Sequence, residues 1–473
     1  MQRPSLTGKK DIQFQAIVAF CKGFGIGYGN SMPWPTLHED LKRFKDLTRG
    51  HIVVMGKDTY FSLPKKQQPL TDRLNVVLTS TPSLYQPNPI ANLVFLEEDE
   101  LFPFLESNAT PSTVSFIGGQ SIYEKYLYLC DTVHVTYIDK EYTCDRFFPF
   151  QQLADHYIHD VISHDTFTFF TYKRSRPASG HADITYQNLL KDILENGHER
   201  DDRTGTGTLS MFGKQLRFDI SNSVPLLTTK HIPYKSVIKE LLWFLQGNTN
   251  ANHLREQGVN IWNANSTREF LDARNLPHYA EGDIGPMYGF QWRHFGATYE
   301  GCETDYRDQG VDQLKNVLDL LRNDPFSRRI LMTTVNVKDL EKGCLHPCHG
   351  IVVQFYVSEH FGVKHLSCHM YQRSVDTFLG LTWNIFSYTV LTYILAKMTD
   401  MKPYELIIST GDTHLYKNHI DQAILQVGRQ PFSLPKLVIK DCVQNKTFEA
   451  LNMDDFELYG YFYHPAIKAK MSA

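Results

Sequence analysis

The alternation of apolar and polar residues changes texture near residue 174. From Asp11 to Arg174 the apolar positions fall in short runs separated by turns: FQAIVAF, HIVVMG, LNVVLTS, ANLVFL, TVSFIGG, DTVHVTYID and FTFFTYKR. Runs of this length, rich in β-branched and aromatic residues, predict strands. HEDLKRFKDLT lies between the first two, QSIYEKYLYL follows Gly118-Gly119, and both read as helices. Strands alternating with helices predict an α/β unit. The polar stretch RSRPASGHAD, with Pro177 and Gly180, reads as a short linker over residues 175–182. Beyond it the helices lengthen. KSVIKELLWFLQG places Val237, Ile238, Leu241, Leu242 and Leu245 at helical spacing and stops at Gly247. NIFSYTVLTYILAKMT predicts a further helix, and IVVQFYV and VKHLSCHMYQ predict strands. A chain of 473 residues exceeds the size at which one core keeps growing. Two domains are therefore expected, 1–174 and 183–473.

Composition narrows the class. Hydrophobic residues are 42% and charged residues 21%, with a formal net charge of −4, a balance that carries no general attraction to nucleic acid or to membranes. The stretch WNIFSYTVLTYILA is shorter than the roughly 20 residues that cross a bilayer and contains Asn and hydroxyls, so it reads as a buried helix. MQRPSLTGKKDIQ has no apolar run before a cleavage site, so secretion is not expected. Eight scattered cysteines favour reduced thiols in the cytoplasm, where a special cysteine is either reactive or metal-bound.

The first chemical signal is KGFGIGYGN, four glycines in alternate places after the first strand. Counted from Gly23 or from Gly25, the sixth place is Tyr28 or Asn30, so the dinucleotide fingerprint fails in both registers, and no Gly-Lys-Ser/Thr follows to make a phosphate loop. Downstream, Asp40 opens a predicted helix with Phe44 one turn along the same face. An isolated Asp there is most simply a helix cap. Trp34, Phe44, Ile17, Ala19 and Gly118-Gly119 offer instead the walls of an apolar slot with one carboxylate inside.

In order along the chain, IVAF, GIG, MPW, EDLKRFK, HIVVMGKDT, PLTDRLNVVLT, FIGGQSIYE and VTYID resemble dihydrofolate reductase over the whole first domain. The resemblance implies an α/β fold with a central, mostly parallel sheet, and transfer of hydride from NADPH to dihydropterin. It gives the glycine-rich turn the role of leading into a loop that closes over the nicotinamide. Asp40 would manage the proton and bind the pterin with Thr136 as neighbour, and Ala19, Phe44 and Arg73 would complete the folate side. Thr71-Asp72 stand before Arg73 where the family usually has Pro-Gly. Ala19, Ile26, Lys57, Thr59, Thr79, Ser80, Gly118, Gly119 and Tyr123 would meet the cofactor, with a cis linkage at Gly118-Gly119.

The second signal is Cys348 in GCLHPCHGIVVQFYV. Three readings compete: inert packing; a zinc site from Cys344, His346, Cys348 and His349 with His365, Cys368 and His369; and a nucleophile. Paired Cys-x-x-Cys spacing is absent, which weakens the metal case, and no metal is expected. Arginines in DRTGTGT (Arg203), DPFSRRI (Arg328, Arg329) and YQRSVD (Arg373) add weight to the nucleophile.

With these arginines, the ordered motifs RTGTGTLSMFG, ELLWFLQGNTN, IGPMYGFQW, DPFSRR, PCHG, QFYV, YQRSVDTFLGL and GDTHLYKNH resemble thymidylate synthase, from about Asp183 onward. This resemblance implies an α+β domain that methylates dUMP with 5,10-methylenetetrahydrofolate. Carbon 5 of uracil becomes nucleophilic only after a thiolate adds at carbon 6. Cys348 would supply it, with Arg373 lowering its pKa. Arg203 and Arg373, assisted by Ser374, would hold the phosphate, joined by Arg328 and Arg329 from another subunit, which implies a homodimer, and Gln372 would contact the dUMP. Asn384 would read the uracil edge, where the related deoxycytidylate hydroxymethylases carry Asp. His414 and Tyr416 would hold the deoxyribose, Glu240 would move protons unless it is merely a helix-surface charge, and Tyr288 would help remove the carbon 5 proton. Trp262 and Asp376 would place the folate. Trp383 stands where the family usually has Phe, and Asn265 where some members have Trp. Together the two resemblances imply a bifunctional enzyme of dTMP synthesis, with dUMP and folates as small-molecule substrates and neither membrane nor obligate nucleic acid as partner. A scaffold retaining only the fold would need neither reactive group.

Overall fold

QFQAIVAFC forms strand β1 (Gln13–Cys21), buried almost continuously from Ala16 to Cys21. Such two-sided burial belongs to the centre of a parallel sheet. A computed structural model describes residues 12–85, 90–108, 113–174, 180–202 and 205–470. The chain divides into two units, Met1–Arg176 and Pro177–Ala473. In the first, β2 (Ile52–Gly56), β3 (Leu74–Leu78), β4 (Leu93–Leu96), β5 (Thr113–Gly118), β6 (Thr132–Ile138), β7 (His156–Ser163) and β8 (Thr168–Arg174) join β1 in the order β4-β3-β2-β5-β1-β6-β8-β7. The six strands from β4 to β6 run parallel, and β8 and β7 pair antiparallel at one edge. The edge strand β7 is not legible in HYIHDVIS, where only His156 and Ile158 are buried.

Helix α1 (His38–Thr48) carries Glu39 and Asp40 in its first turn and Lys45 in its last, charges that suit the helix dipole. Its N-cap is Leu37, with no side-chain cap, so Asp40 is not there as a capping residue. Helix α2 (Gln120–Tyr126) follows Gly119, and the Gly118–Gly119 peptide is cis.

The second unit opens with α3 (Ala182–Asn196), which begins one residue inside the stretch expected as linker. The His181 ring accepts from the Asp183 N–H. Asp183, buried, accepts from the N–H and hydroxyl groups of Thr228 and Thr229, tying the start of the helix to a distant loop. A six-stranded sheet follows, built from β9 (His198–Arg200), β10 (Thr208–Asp219), β11 (Leu331–Met332), β12 (Val352–His360), β13 (Val363–Asp376) and β14 (Lys402–Tyr416), in the order β9-β10-β14-β13-β12-β11. Only β13 and β14 pair in parallel. β10 and β14 escape a sequence reading because Gly213, Gly411 and a run of hydroxyl residues break the apolar alternation.

One face of this sheet packs under α5 (Gly380–Met398), which in turn contacts α4 (Tyr234–Leu245). α5 is buried on nearly every side, as WNIFSYTVLTYILA predicts. Its hydroxyls stay satisfied inside the core: Thr389 donates to the Ile385 carbonyl at 2.8 Å and Thr392 to the Tyr388 carbonyl at 2.7 Å. The opposite face leaves Phe212, Val352, Tyr356 and Tyr371 exposed.

Candidate active sites

The carboxyl ends of the parallel strands open into a cleft of about 1870 Å³. Crevices there are the usual ligand sites of open α/β sheets. Ala19 ends one wall, Asp40 and Phe44 face in from α1, Lys57 and Thr59 follow β2, Thr79 and Ser80 follow β3, and Gly118, Gly119 and Tyr123 close the far side. Ile17 and Trp34 also line it, so the apolar slot expected from the sequence exists. Ile26 to Tyr28 of the glycine-rich segment form part of the rim. Gly25 is required there by its neighbour, because a Cβ would fall 2.3 Å from Cys144 Sγ. At Gly119 a Cβ would meet Thr59 Oγ1 at 3.1 Å. The Tyr123 hydroxyl donates to the Ile17 carbonyl at 2.7 Å, bracing α2 against β1.

Thr136 stands opposite Ala19 in the β1–β6 register, and its hydroxyl donates to Asp40 Oδ1 at 2.6 Å. Burial pushes the Asp40 carboxyl above the ordinary range, while the Thr136 bond and the Arg43 charge pull it back. Nothing in EDLKRFK marks Arg43 as special. Its guanidinium lies 4.4 Å from the Phe169 ring centroid and reaches the Val135 carbonyl and the Thr171 hydroxyl, each at 3.4 Å. Arg73 is buried behind Phe44, 5.8 Å from that ring centroid, and donates to the Thr71 carbonyl and the Thr48 hydroxyl, each at 2.8 Å. It does not line the cleft wall as described.

In the second unit, Cys348 is half-buried on the loop leading into β12. The Tyr288 hydroxyl lies 3.5 Å from its sulfur and accepts from its backbone N–H at 3.1 Å. Arg373 grips the same loop twice: its backbone N–H donates to the Cys348 carbonyl at 2.8 Å, and its Nε donates to the Pro347 carbonyl at 3.2 Å. The Arg373 charge acts to lower the cysteine pKa, as expected, and the Tyr288 hydrogen bond acts with it, but burial is the larger effect and raises the thiol overall. His349, stacked on Tyr288 with centroids 4.4 Å apart, is pushed down to about 3 by burial and so adds no positive charge at neutral pH.

Glu240 on α4 is buried, which removes the surface-charge alternative. Trp262 Nε1 donates to Oε1 at 2.8 Å and Trp383 Nε1 to Oε2 at 2.6 Å. Burial raises the carboxyl to about 7 against these two bonds. Asn384 and Gln372 are buried, and Gln372 Oε1 has no hydrogen-bond partner among the described residues. The parallel β13–β14 register sets Ser374 opposite Asp412 and Asp376 opposite His414. His414 Nδ1 lies 3.1 Å from Asp412 Oδ1, and the Tyr416 ring follows at a centroid distance of 5.2 Å. Asp376 Oδ1 accepts from the N–H groups of Phe378 and Leu379 at 2.9 and 3.1 Å, turning the chain into α5.

Lys230 is equally unremarkable in LTTKH. It is buried, donates to the Phe378 carbonyl, sits 3.7 Å from that ring's centroid and is pushed down to about 7 by burial. Arg328 and Arg329 are exposed on the loop before β11. Asn265 is buried in the turn after Trp262, and Arg203 lies outside the described residues. Among the described residues no three His, Cys, Asp or Glu side chains gather as metal ligands would.

Comparison with known proteins matches both units. The family model described as dihydrofolate reductase matches residues 13–174, and the one described as thymidylate synthase matches residues 184–473. A bifunctional dihydrofolate reductase-thymidylate synthase of Paramecium tetraurelia is 41% identical over 97% of this chain and 98% of its own. Proteins of the same description from Zea mays and Arabidopsis thaliana are 37% and 38% identical, over 98% and 99% of this chain and 98% and 90% of their own. The chain belongs to the bifunctional dihydrofolate reductase-thymidylate synthase family.

Proposed function

We propose that residues 183–473 methylate dUMP to dTMP with 5,10-methylenetetrahydrofolate, and that residues 1–174 reduce the resulting dihydrofolate to tetrahydrofolate with NADPH. The observation that carries this reading is the Cys348 sulfur, set 3.5 Å from the Tyr288 hydroxyl on a loop gripped by Arg373.

In the synthase half, the Cys348 sulfur adds to carbon 6 of the uracil, and carbon 5 then attacks the one-carbon donor. Asn384 reads the ring edge, since an amide pairs with an oxygen and an N–H together. Arg203, Arg373 and Ser374 hold the phosphate, and Gln372, whose buried amide oxygen lacks a partner among the described residues, contacts the nucleotide. His414 and Tyr416 take the deoxyribose hydroxyl, and Trp262 and Asp376 place the folate. Glu240, near 7 in its burial, is able both to hold and to release a proton at neutral pH. Tyr288 assists removal of the carbon 5 proton.

The reductase half fits its cofactor by its lining. Small or absent side chains at Ala19, Gly118 and Gly119 permit a flat ring to approach the backbone, beside Ile26 and Tyr123, and Lys57 with Thr59, Thr79 and Ser80 suits a phosphate. Bound NADPH supplies the hydride for carbon 6 of the dihydropterin. Asp40, oriented by Thr136, binds the pterin and governs the proton for nitrogen 5, while Phe44 packs on the remainder of the folate with Arg73 behind its ring as the nearest guanidinium for a terminal carboxylate.

A homodimer through the synthase half is supported by the exposed apolar face of its sheet and by Arg328 and Arg329, exposed and free to reach another subunit. Among the described residues no helix is long and apolar enough to cross a membrane. Among the described residues no cysteine is in a disulfide, and a cytoplasmic setting, where thiols stay reduced, is part of this reading. The test is two steady-state assays on the purified chain: dihydrofolate-dependent NADPH oxidation and dUMP-dependent dihydrofolate formation. Both are expected, and absence of both under reducing conditions overturns the reading.

A further inference from the structure

The two indoles on Glu240 reach it from separate parts of the chain. Trp262 ends the loop ahead of the Asn263–Asn265 turn and donates to Oε1, while Trp383 stands in the first turn of α5 and donates to Oε2. An indole N–H only donates, so neither ring is able to relay a proton. A carboxylate has about four lone-pair sites, and two are taken, one on each oxygen. The plane of the group is thereby fixed, and proton exchange is confined to the two remaining lone pairs.

We propose that Trp383 is a positioning residue for the synthase reaction, which pins Glu240 Oε2 while Trp262 pins Oε1, so that the buried carboxylate keeps one orientation and remains able to ionise. This rests on the proton-carrying role given to Glu240 above.

The neighbouring residue gives the arrangement its consequence. Asn384 follows Trp383 in the chain, so the turn of α5 that carries the uracil reader also holds the proton carrier. The titratable groups that act on this corner are Cys348, which feels the Glu240 charge, and Tyr388 of α5, which feels both, with Tyr288 and His349 packed beside the sulfur. Arg373 acts on the sulfur from β13. Burial resists ionisation of Glu240 and the two indole bonds favour it. Removing one N–H leaves burial less opposed, so the carboxyl becomes the weaker acid.

The experiment is Trp383→Phe in the full chain, which keeps an aromatic ring and deletes the donor. Glu240 is titrated by difference infrared spectroscopy of its carboxyl band, assigned with Glu240→Gln. The expected midpoint rises by about one pH unit, a tenfold weaker acid, and Trp262→Phe moves it in the same direction. The acid limb of the synthase kcat profile follows by the same amount, with KM for dUMP unchanged. If the phenylalanine variant does not fold, site-specific replacement of the Trp383 indole by its benzothiophene isostere, equal in shape and lacking the N–H, makes the same test. An unmoved or lowered midpoint overturns the proposal. A wild-type chain without dUMP turnover overturns the proton-carrying role instead, and the infrared titration still decides whether Trp383 controls the carboxyl.

Discussion

The Thr136 hydroxyl donates to Asp40 Oδ1 across 2.6 Å. It joins the middle of the sheet to the first turn of α1, and it favours the charged form of a carboxyl that burial otherwise raises. The bond depends on register: Thr136 pairs with Ala19, at the carboxyl end of β1 where the cleft begins.

Thr136→Val removes that donor. The Asp40 pKa, already above the ordinary value, then rises further, so the protonated form persists to higher pH. The alkaline fall of the reduction step, followed by stopped-flow absorbance of NADPH, is expected to move up by about one pH unit. A downward or absent shift would show that the bond does not govern the proton.

Arg373→Ala removes a positive charge that favours the Cys348 thiolate against the burial that opposes it. The thiol pKa rises, and alkylation of Cys348 by iodoacetamide at pH 7, measured by peptide mass spectrometry in the absence of nucleotide, slows by about three- to tenfold. Its rate-against-pH midpoint moves up. Arg373→Lys keeps the charge but not the planar fork, and is expected to fall between the two.

The two chemistries are independent on this account. Cys348→Ser is expected to abolish dUMP-dependent dihydrofolate formation and leave the reductase intact, while Asp40→Asn does the reverse at neutral pH. Assays of both half-reactions on each folded variant decide, and loss of both activities from either single change contradicts the account.

Much of the fold is legible because burial follows period. β1 to β6 and α5 are strongly apolar runs bounded by turns, and they form where the pattern places them. β7, β10 and β14 are not legible, since their alternation is carried by His, Thr and Ser, whose burial depends on partners far along the chain. The site shows the same division. Asp40, Glu240 and Cys348 stand out by motif, but the clamp on Glu240 needs Trp262 and Trp383, 121 positions apart in the sequence, to meet across α4. Lys230 and Arg43 look like ordinary surface charges until packing encloses them. The net rise of the Cys348 pKa was equally hidden, because desolvation depends on the assembled pocket and a nearby arginine shows only the opposing effect.

The exposed sheet face gives a prediction about assembly. Tyr356 is 68% exposed at the centre of β12, between inward-facing Phe355 and Val357. Tyr356→Asp leaves the core untouched and places a charge on the proposed dimer face. Light scattering is expected to give a dimer for the wild type and a monomer for the variant, with the synthase lost and the reductase kept. A monomeric wild type with full synthase activity would contradict the shared site.

The most direct test is covalent capture at the sulfur. The chain is incubated with 5-fluoro-dUMP and 5,10-methylenetetrahydrofolate and digested, and the peptide containing Cys348 is weighed by mass spectrometry. The account predicts that Cys348 carries both nucleotide and folate and that Cys348→Ser carries neither. An unmodified Cys348 in wild-type protein that turns over dUMP would contradict it.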